Sequence, residues 1–156
     1  MKRLFVLLTA AVMLLCCACG KGSAPAKSLS EVYADILPQV TSQPIAELSD
    51  IRLMERYYGI TSEMAEEFAG CYNPNGVDQE EIVLVKAAND DAAEEIESRL
   101  ETRYQTKLNQ NKDYNPEQAA MISACSVDRD GLYVSMIISQ NAERMRQIYR
   151  DDLGLK

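Results

Sequence analysis

Five cysteines, 24 carboxylates and eight tyrosines are the side chains whose types and spacing could do chemistry in this chain of 156 residues. Cys71 and Cys125 stand alone in its body, while Cys16, Cys17 and Cys19 crowd together near its start. Neither Cys71 nor Cys125 belongs to a C-x-x-C pair that would lower a thiol pKa, so redox catalysis is not expected from them. Two readings stand. They are buried thiols acting as small apolar side chains, or they form a disulfide that closes a loop of about 55 residues and adds roughly 4 kcal/mol. Histidine is absent, which removes Ser-His and Cys-His nucleophile pairs and His-ligated zinc or haem.

The carboxylates cluster three times: Glu63, Glu66 and Glu67; Asp78, Glu80 and Glu81; and Asp90, Asp91, Glu94, Glu95 and Glu97. Two facing carboxylates could hydrolyse a glycoside, and several could hold calcium. The third cluster opens a predicted helix, where negative charge offsets the macrodipole, and that accounts for it. Asp128-x-Asp130-Gly131 has the beginning of a calcium loop. Counting Ser126 as its first position puts Ile137 where a bidentate Glu is required, so the match fails. Ser23 and Lys27 have the wrong spacing for a Ser-Lys hydrolase. The seven glycines form no phosphate-cradling pattern. No metal and no cofactor is therefore expected. The formal charge of -8 repels phosphates, so no nucleic-acid partner is expected either.

The tyrosines offer contact area with a polar tip. The leading reading is that most of these rings close the rim of the core. Tyr57, Tyr58 and Tyr72, with Asn73 and Asn75 of the adjoining turn, are the candidate interaction surface in the competing reading. A sugar-binding face usually uses Trp, and there is none.

These residues need elements to hold them. Ser28 to Leu37 reads as an amphipathic helix, with Ser28 and Glu31 spaced as a capping box and Pro38 as its stop. A second helical stretch is expected from Ile45 to Tyr58, ended by Gly59. Glu67 to Tyr72 and Glu81 to Ala87 read as strands around the turn Asn73 to Gly76. Asn89 to Asp91 caps the longest helix, to about Asn109. Its buried stripe is Ala93, Ile96, Leu100, Tyr104 and Leu108, and its polar face includes Arg99 and Arg103. Pro116 starts one helical turn. Met121 to Val127 and Leu132 to Ser139 read as strands around the turn Asp128 to Gly131, and Asn141 caps a final helix. The class is α+β: a mainly antiparallel sheet from two hairpins with helices packed on one face, a ββαββα core preceded by N-terminal helices. Cys71 and Cys125 fall in equivalent strands, a hint of an internal repeat.

Ahead of this single domain, 28–156, the chain reads as an address. Met1-Lys2-Arg3 is positive, and Leu4 to Leu15 is apolar and uncharged. Even Leu4 to Cys19 reaches only about 24 Å as a helix, short of the roughly 30 Å hydrocarbon core, so residues 1–18 read as a signal peptide rather than a span. The run ends in Cys16-Cys17-Ala18-Cys19-Gly20, which resembles the lipobox of bacterial lipoproteins. Ala18 holds the small position before Cys19, and Cys16 stands where Leu is usual. Cys19 is the expected lipidated residue. Cys17, with Leu14 three residues upstream, is the alternative, and plain secretion after an A-x-A-like site is a third reading. The partner would be membrane lipid through a diacylglyceryl-Cys, with chains such as palmitate. Each buried methylene contributes about 0.8 kcal/mol, so two chains hold where one would not. Residues 19–27 comprise this Cys and a flexible tether reaching about 16 Å.

Tyr114-Asn115-Pro116-Glu117-Gln118, then Ile122-Ser123-Ala124, then Gly131-Leu132-Tyr133-Val134, resemble the pattern of a family of bacterial lipoproteins catalogued as domain of unknown function 4358. Tyr58-Gly59-Ile60 and Glu81-Ile82 add to the resemblance, which spans about Leu29 to Leu153. It implies the lipoprotein address and brings no catalytic residues. The expected role is non-enzymatic: a lipid-anchored protein on the extracytoplasmic face of the cell membrane, binding an unknown envelope protein or small ligand. The alternatives are a small-ligand carrier and a carboxylate-based cell-wall hydrolase. Replacing the acylated cysteine tests the address. Cys19→Ala should move the protein from the membrane pellet to the soluble or unprocessed fraction on fractionation, and unchanged retention would show that Cys19 is not the anchor.

Overall fold

Local sequence signals explain most element boundaries in the computed structural model, which describes residues 27–155. The expected signal peptide, Cys17 and Cys19 lie outside the described residues. Helix α1 (Leu29–Ile36) starts at Ser28, whose hydroxyl accepts from the Glu31 amide while the Glu31 carboxylate accepts from the Ser28 amide. Pro38 turns its end into a short 3-10 helix, Leu37–Gln39. Strand β1 (Ala46–Glu47) and helix α2 (Ile51–Tyr58) then replace the continuous helix expected from Ile45. Pairing of Ala46 and Glu47 with Tyr72 and Cys71 takes that backbone into the sheet. The helix can begin only after Asp50, whose carboxylate accepts from the Arg52 amide.

Strands β2 (Ala65–Tyr72) and β3 (Glu81–Ala87) form the first hairpin. Helix α3 (Asp90–Asn111) follows, capped by the Asn89 side chain. Helix α4 (Pro116–Ser123) runs past the single turn expected, because Asn115 caps it and Pro116 occupies its first turn. It thereby absorbs Met121 to Ser123 from the strand predicted there. Strand β4 (Ser126–Asp130) includes Asp128 to Asp130, and the hairpin turn moves to Gly131-Leu132 ahead of β5 (Tyr133–Ile138). Gly131 supplies the positive φ of +58° at the first position of that two-residue loop. Helix α5 (Ala142–Leu153) closes the fold. Asn141 does not cap it as expected, since its side chain donates to the Gln39 carbonyl instead.

The five strands form one antiparallel sheet in the order β1-β2-β3-β5-β4. The class is α+β as read from the sequence. The layering differs: α1 and α5 pack on one face of the sheet, and α3 with α4 and α2 on the other. The reason lies in β3 and β5. Glu81 to Val85 are buried without a break, and so are Val134 to Ile138. Successive strand residues point to opposite faces, so unbroken burial requires cover on both. The hairpins meet through β3 and β5, yet α3 and α5 take opposite faces, so the two halves are not equivalent copies. Gly70 fixes the β2–β3 approach: at a φ of +151°, a Cβ there would lie 1.9 Å from the Ile82 carbonyl oxygen.

This layering settles the cysteine alternatives. Cys71 lies opposite Ile82, Ile82 opposite Ile137, and Ile137 opposite Ser126, the residue after Cys125. Three strand spacings are about 14 Å, whereas a disulfide needs Cα atoms within about 7 Å. Cys71 faces the α1 layer beside Tyr33, and Cys125 sits at the end of α4 with its thiol 3.2 Å from the Met121 carbonyl. Both are free and buried. Burial pushes the Cys71 thiol up to about 11. A maleimide should therefore leave Cys71 and Cys125 unlabelled in the native protein and label both after unfolding without reductant. Peptide mapping that finds the two joined would contradict this arrangement.

Candidate functional site

Glu81, the first residue of β3, turns its side chain under α3 and is fully buried. An isolated buried carboxylate is costly, so its partners matter. Arg103 donates to it through Nε at 3.0 Å and Nη2 at 2.9 Å. Lys107, one helical turn further along α3, donates from Nζ at 2.6 Å and also reaches the Gln79 carbonyl at 3.0 Å. Burial raises the Glu81 carboxyl, but the Lys107 charge and the Arg103 fork together hold it below the usual carboxylate range. Burial, and the neighbouring Arg103, draw Lys107 below the ordinary lysine value, against the pull of Glu81.

Arg103 carries this anchor outward. Its guanidinium carbon lies 5.9 Å from the centre of the Tyr58 ring. Tyr57 meets Tyr58 edge-on with ring centres 6.4 Å apart, and Tyr72 from the end of β2 stacks tilted on Tyr57 at 5.0 Å. The Tyr72 hydroxyl donates to that of Tyr57 at 3.3 Å. Arg56 covers Tyr57 at 5.6 Å. Arg99 ties the end of α2 to α3 by donating to the Gly59 carbonyl at 2.6 Å. The outcome is an open groove of about 330 Å³ between α2 and α3, lined by Tyr57, Tyr58, Arg99, Thr102, Arg103 and Thr106.

The structure thus brings Tyr57, Tyr58 and Tyr72 together. Tyr58 is buried and closes the core rim, whereas Tyr57 is 37% exposed. Burial and the Glu81 charge hold the Tyr58 hydroxyl far above the ordinary tyrosine range. Asn73 is structural: it donates to the Ser42 hydroxyl at 2.6 Å and accepts from the Asn75 amide at 2.8 Å. Asn75 is exposed at the tip of the turn.

The acidic clusters resolve individually. Glu80 points to the face opposite Glu81, where it accepts from the Thr41 amide at 3.0 Å, the Ser42 amide at 2.6 Å and the Ser139 hydroxyl. These neighbours therefore cannot face one another across a glycosidic bond. Glu67 accepts from the Leu29 amide at 2.9 Å, and Glu66 pairs with Lys86 at 2.7 Å. Reading Arg103 as part of the solvent face of α3 misses its role, as does taking Leu108 rather than Lys107 for the buried stripe. The signal was present in the spacing. The buried line Ala93, Ile96, Leu100, Tyr104 continues through Lys107 and Asn111.

The model of the family described as Domain of unknown function (DUF4358) matches residues 39–139. The chain belongs to this family. It matches no curated protein and no solved structure. The DUF4358 match takes in the whole sheet with α2, α3 and α4, so every residue of the tyrosine groove lies inside it. Helices α1 and α5 lie outside it.

Glu81→Gln should destabilise the DUF4358 domain by about 3 kcal/mol, because it strands the buried Lys107 and the half-buried Arg103. Denaturant unfolding at neutral pH measures this. The carboxyl is depressed in the folded state, so its contribution is complete above the ordinary value of 4.5 and is lost as pH falls through the folded value. The gap between wild type and variant should accordingly narrow below about pH 4.5. A gap independent of pH would contradict the assignment.

Proposed function

We propose that this DUF4358 protein is a lipid-anchored extracytoplasmic protein that works by binding an envelope protein, without catalysis, and that the groove between α2 and α3 is where the partner docks. One observation carries the reading: Tyr57 and Tyr58 of α2 meet Arg99 and Arg103 of α3 on a single open groove, and Tyr72 of β2 stacks on Tyr57 beside it. Tyr and Arg are enriched among residues that dominate binding energy. A Tyr–Arg surface held in advance by a buried carboxylate loses little side-chain freedom on binding. The N-terminal apolar run and the Cys19 lipobox support the anchor, and a two-chain anchor of this kind is stable.

The groove can be interrogated in intact cells. A photoreactive phenylalanine analogue at position 57 should give one discrete adduct, weakened when Tyr72→Ala is combined with it. The same analogue at Tyr114, 92% exposed in the connection between α3 and α4, should give none. Equal adducts from both positions, or none from position 57, would rule out the groove as the docking surface.

A further inference from the structure

A second concavity lies on the opposite face of the sheet, between α5 and the β4–β5 hairpin. Its outer part, about 360 Å³, is bounded by Glu143, Arg146, Arg150 and Asp151. It narrows into an inner recess of about 120 Å³ lined by Asp128, Asp130, Ser135, Arg146, Tyr149 and Arg150. The spacing of these residues explains why they meet. Arg146, Tyr149 and Arg150 stand at i, i+3 and i+4 on one face of α5. Ser126, Asp128 and Asp130 alternate along β4 and share the sheet face that α5 covers.

The charges here are opposite, and of the cleft's ions only Arg146 and Glu143 are joined as an ion pair among the described residues. Arg146 donates to the Ser126 hydroxyl at 3.3 Å, and that hydroxyl donates to Asp128 at 3.1 Å, so a serine separates the two ions. Arg146 also reaches Glu143 at 3.1 Å. Among the described residues neither Arg150 nor Asp130 has an ion-pair partner. The inner recess presents Arg146 and Arg150 beside Asp128 and Asp130, with neither arginine paired to either aspartate among the described residues, an arrangement complementary to a dipole.

Tyr149 provides an independent observation. It is 4% exposed, yet its hydroxyl has no hydrogen-bond partner among the described residues. That hydroxyl lies beside the Ser135 hydroxyl, without the geometry of a full hydrogen bond, and near Asp130 and Asp128, the lining of the recess itself. Burial pushes its ionisation well above the tyrosine range, against the opposing pull of the Ser135 hydroxyl, so it stays a neutral donor. Buried polar groups are nearly always paired, and an orphan at the end of a polar recess marks a position for a ligand atom.

We propose that this cleft binds a small zwitterion of the class of free amino acids and dipeptides. Its carboxylate pairs with Arg146 and Arg150, its ammonium group pairs with Asp128 and Asp130, and Tyr149 donates to a ligand oxygen. Guanidinium–carboxylate pairs give the directional half of this recognition, and the aspartates exclude plain anions by like-charge repulsion.

Titration calorimetry on the full-length protein in detergent tests this, with the common L-amino acids and L-alanyl-L-alanine as probes and acetate and methylammonium as half-ligands. At least one zwitterion should saturate the protein with one site. Acetate or methylammonium alone should bind about ten-fold or more weakly, since each keeps only half of the charge-assisted contacts. Arg150→Gln and Asp130→Asn alter exposed groups and should each weaken the zwitterion by about ten-fold. Tyr149→Phe should weaken it too, with a melting temperature equal to or above wild type, because the orphaned hydroxyl is gone. No saturation by any probe at about 10 mM would overturn the proposal. So would acetate binding as tightly as the zwitterions, which would make this a plain anion site.

Discussion

A carboxylate shut away from water must be neutralised where it stands, and Glu81 imposes that condition on one whole layer of the protein. Its oxygens can be satisfied only if α3 lies across β3 with Arg103 and Lys107 directly above it. Helix α3 is amphipathic along a stripe that could slide on an apolar sheet with little change in burial, because hydrophobic contact is non-directional. A two-pronged Arg fork and a Lys donor remove that freedom. The placement passes to Tyr58 through Arg103, and the end of α2 is tied to the same helix by Arg99. The tyrosine groove is the outer surface of this chain of constraints.

The opposite layer is organised differently. Among the described residues Glu80 meets no cation. Its partners are backbone amides of Thr41 and Ser42 and the hydroxyl of Ser139. This binds the segment after α1 to the end of β5. Glu67 treats the α1 N-terminus similarly, by accepting from the Leu29 amide. The buried carboxylate under α3 is matched by cations, whereas Glu80, the buried carboxylate on the α1 and α5 side, satisfies backbone amides that have left regular structure. The inner polar cleft beside α5 belongs to this second layer.

Legibility in the sequence followed the range of the interaction concerned. The Ser28–Glu31 capping box, the Asn89 cap and the β-branched run of β3 act within a few residues, and the elements they mark are where they were expected. Strand β1 was hidden because two residues carry no periodicity, and only the free edge of β2 makes them a strand. The double-sided cover was visible in principle, since five consecutive buried residues in β3 do not alternate. The convergence of Tyr57, Tyr58 and Tyr72 could be anticipated from a helix end and a strand end. Lys107 could be anticipated too, since it continues the buried spacing of α3, whereas Arg103 could not, because a polar residue beside that stripe is ordinarily solvated.

Glu80 and Glu81 are neighbours that serve different layers, and this gives the dipeptide a meaning beyond either contact. Sliding β3 by one position exchanges every residue between the two sides. For the apolar part of the strand, isoleucine, valine and leucine would trade places at modest expense. For the acidic pair the exchange is costly: one carboxylate lands in the site built for the other, and the second is left in a position with no cation or amide set to receive it. Two adjacent charges thus discriminate the native threading of the central strand from its nearest competitor, which a greasy strand could not do alone.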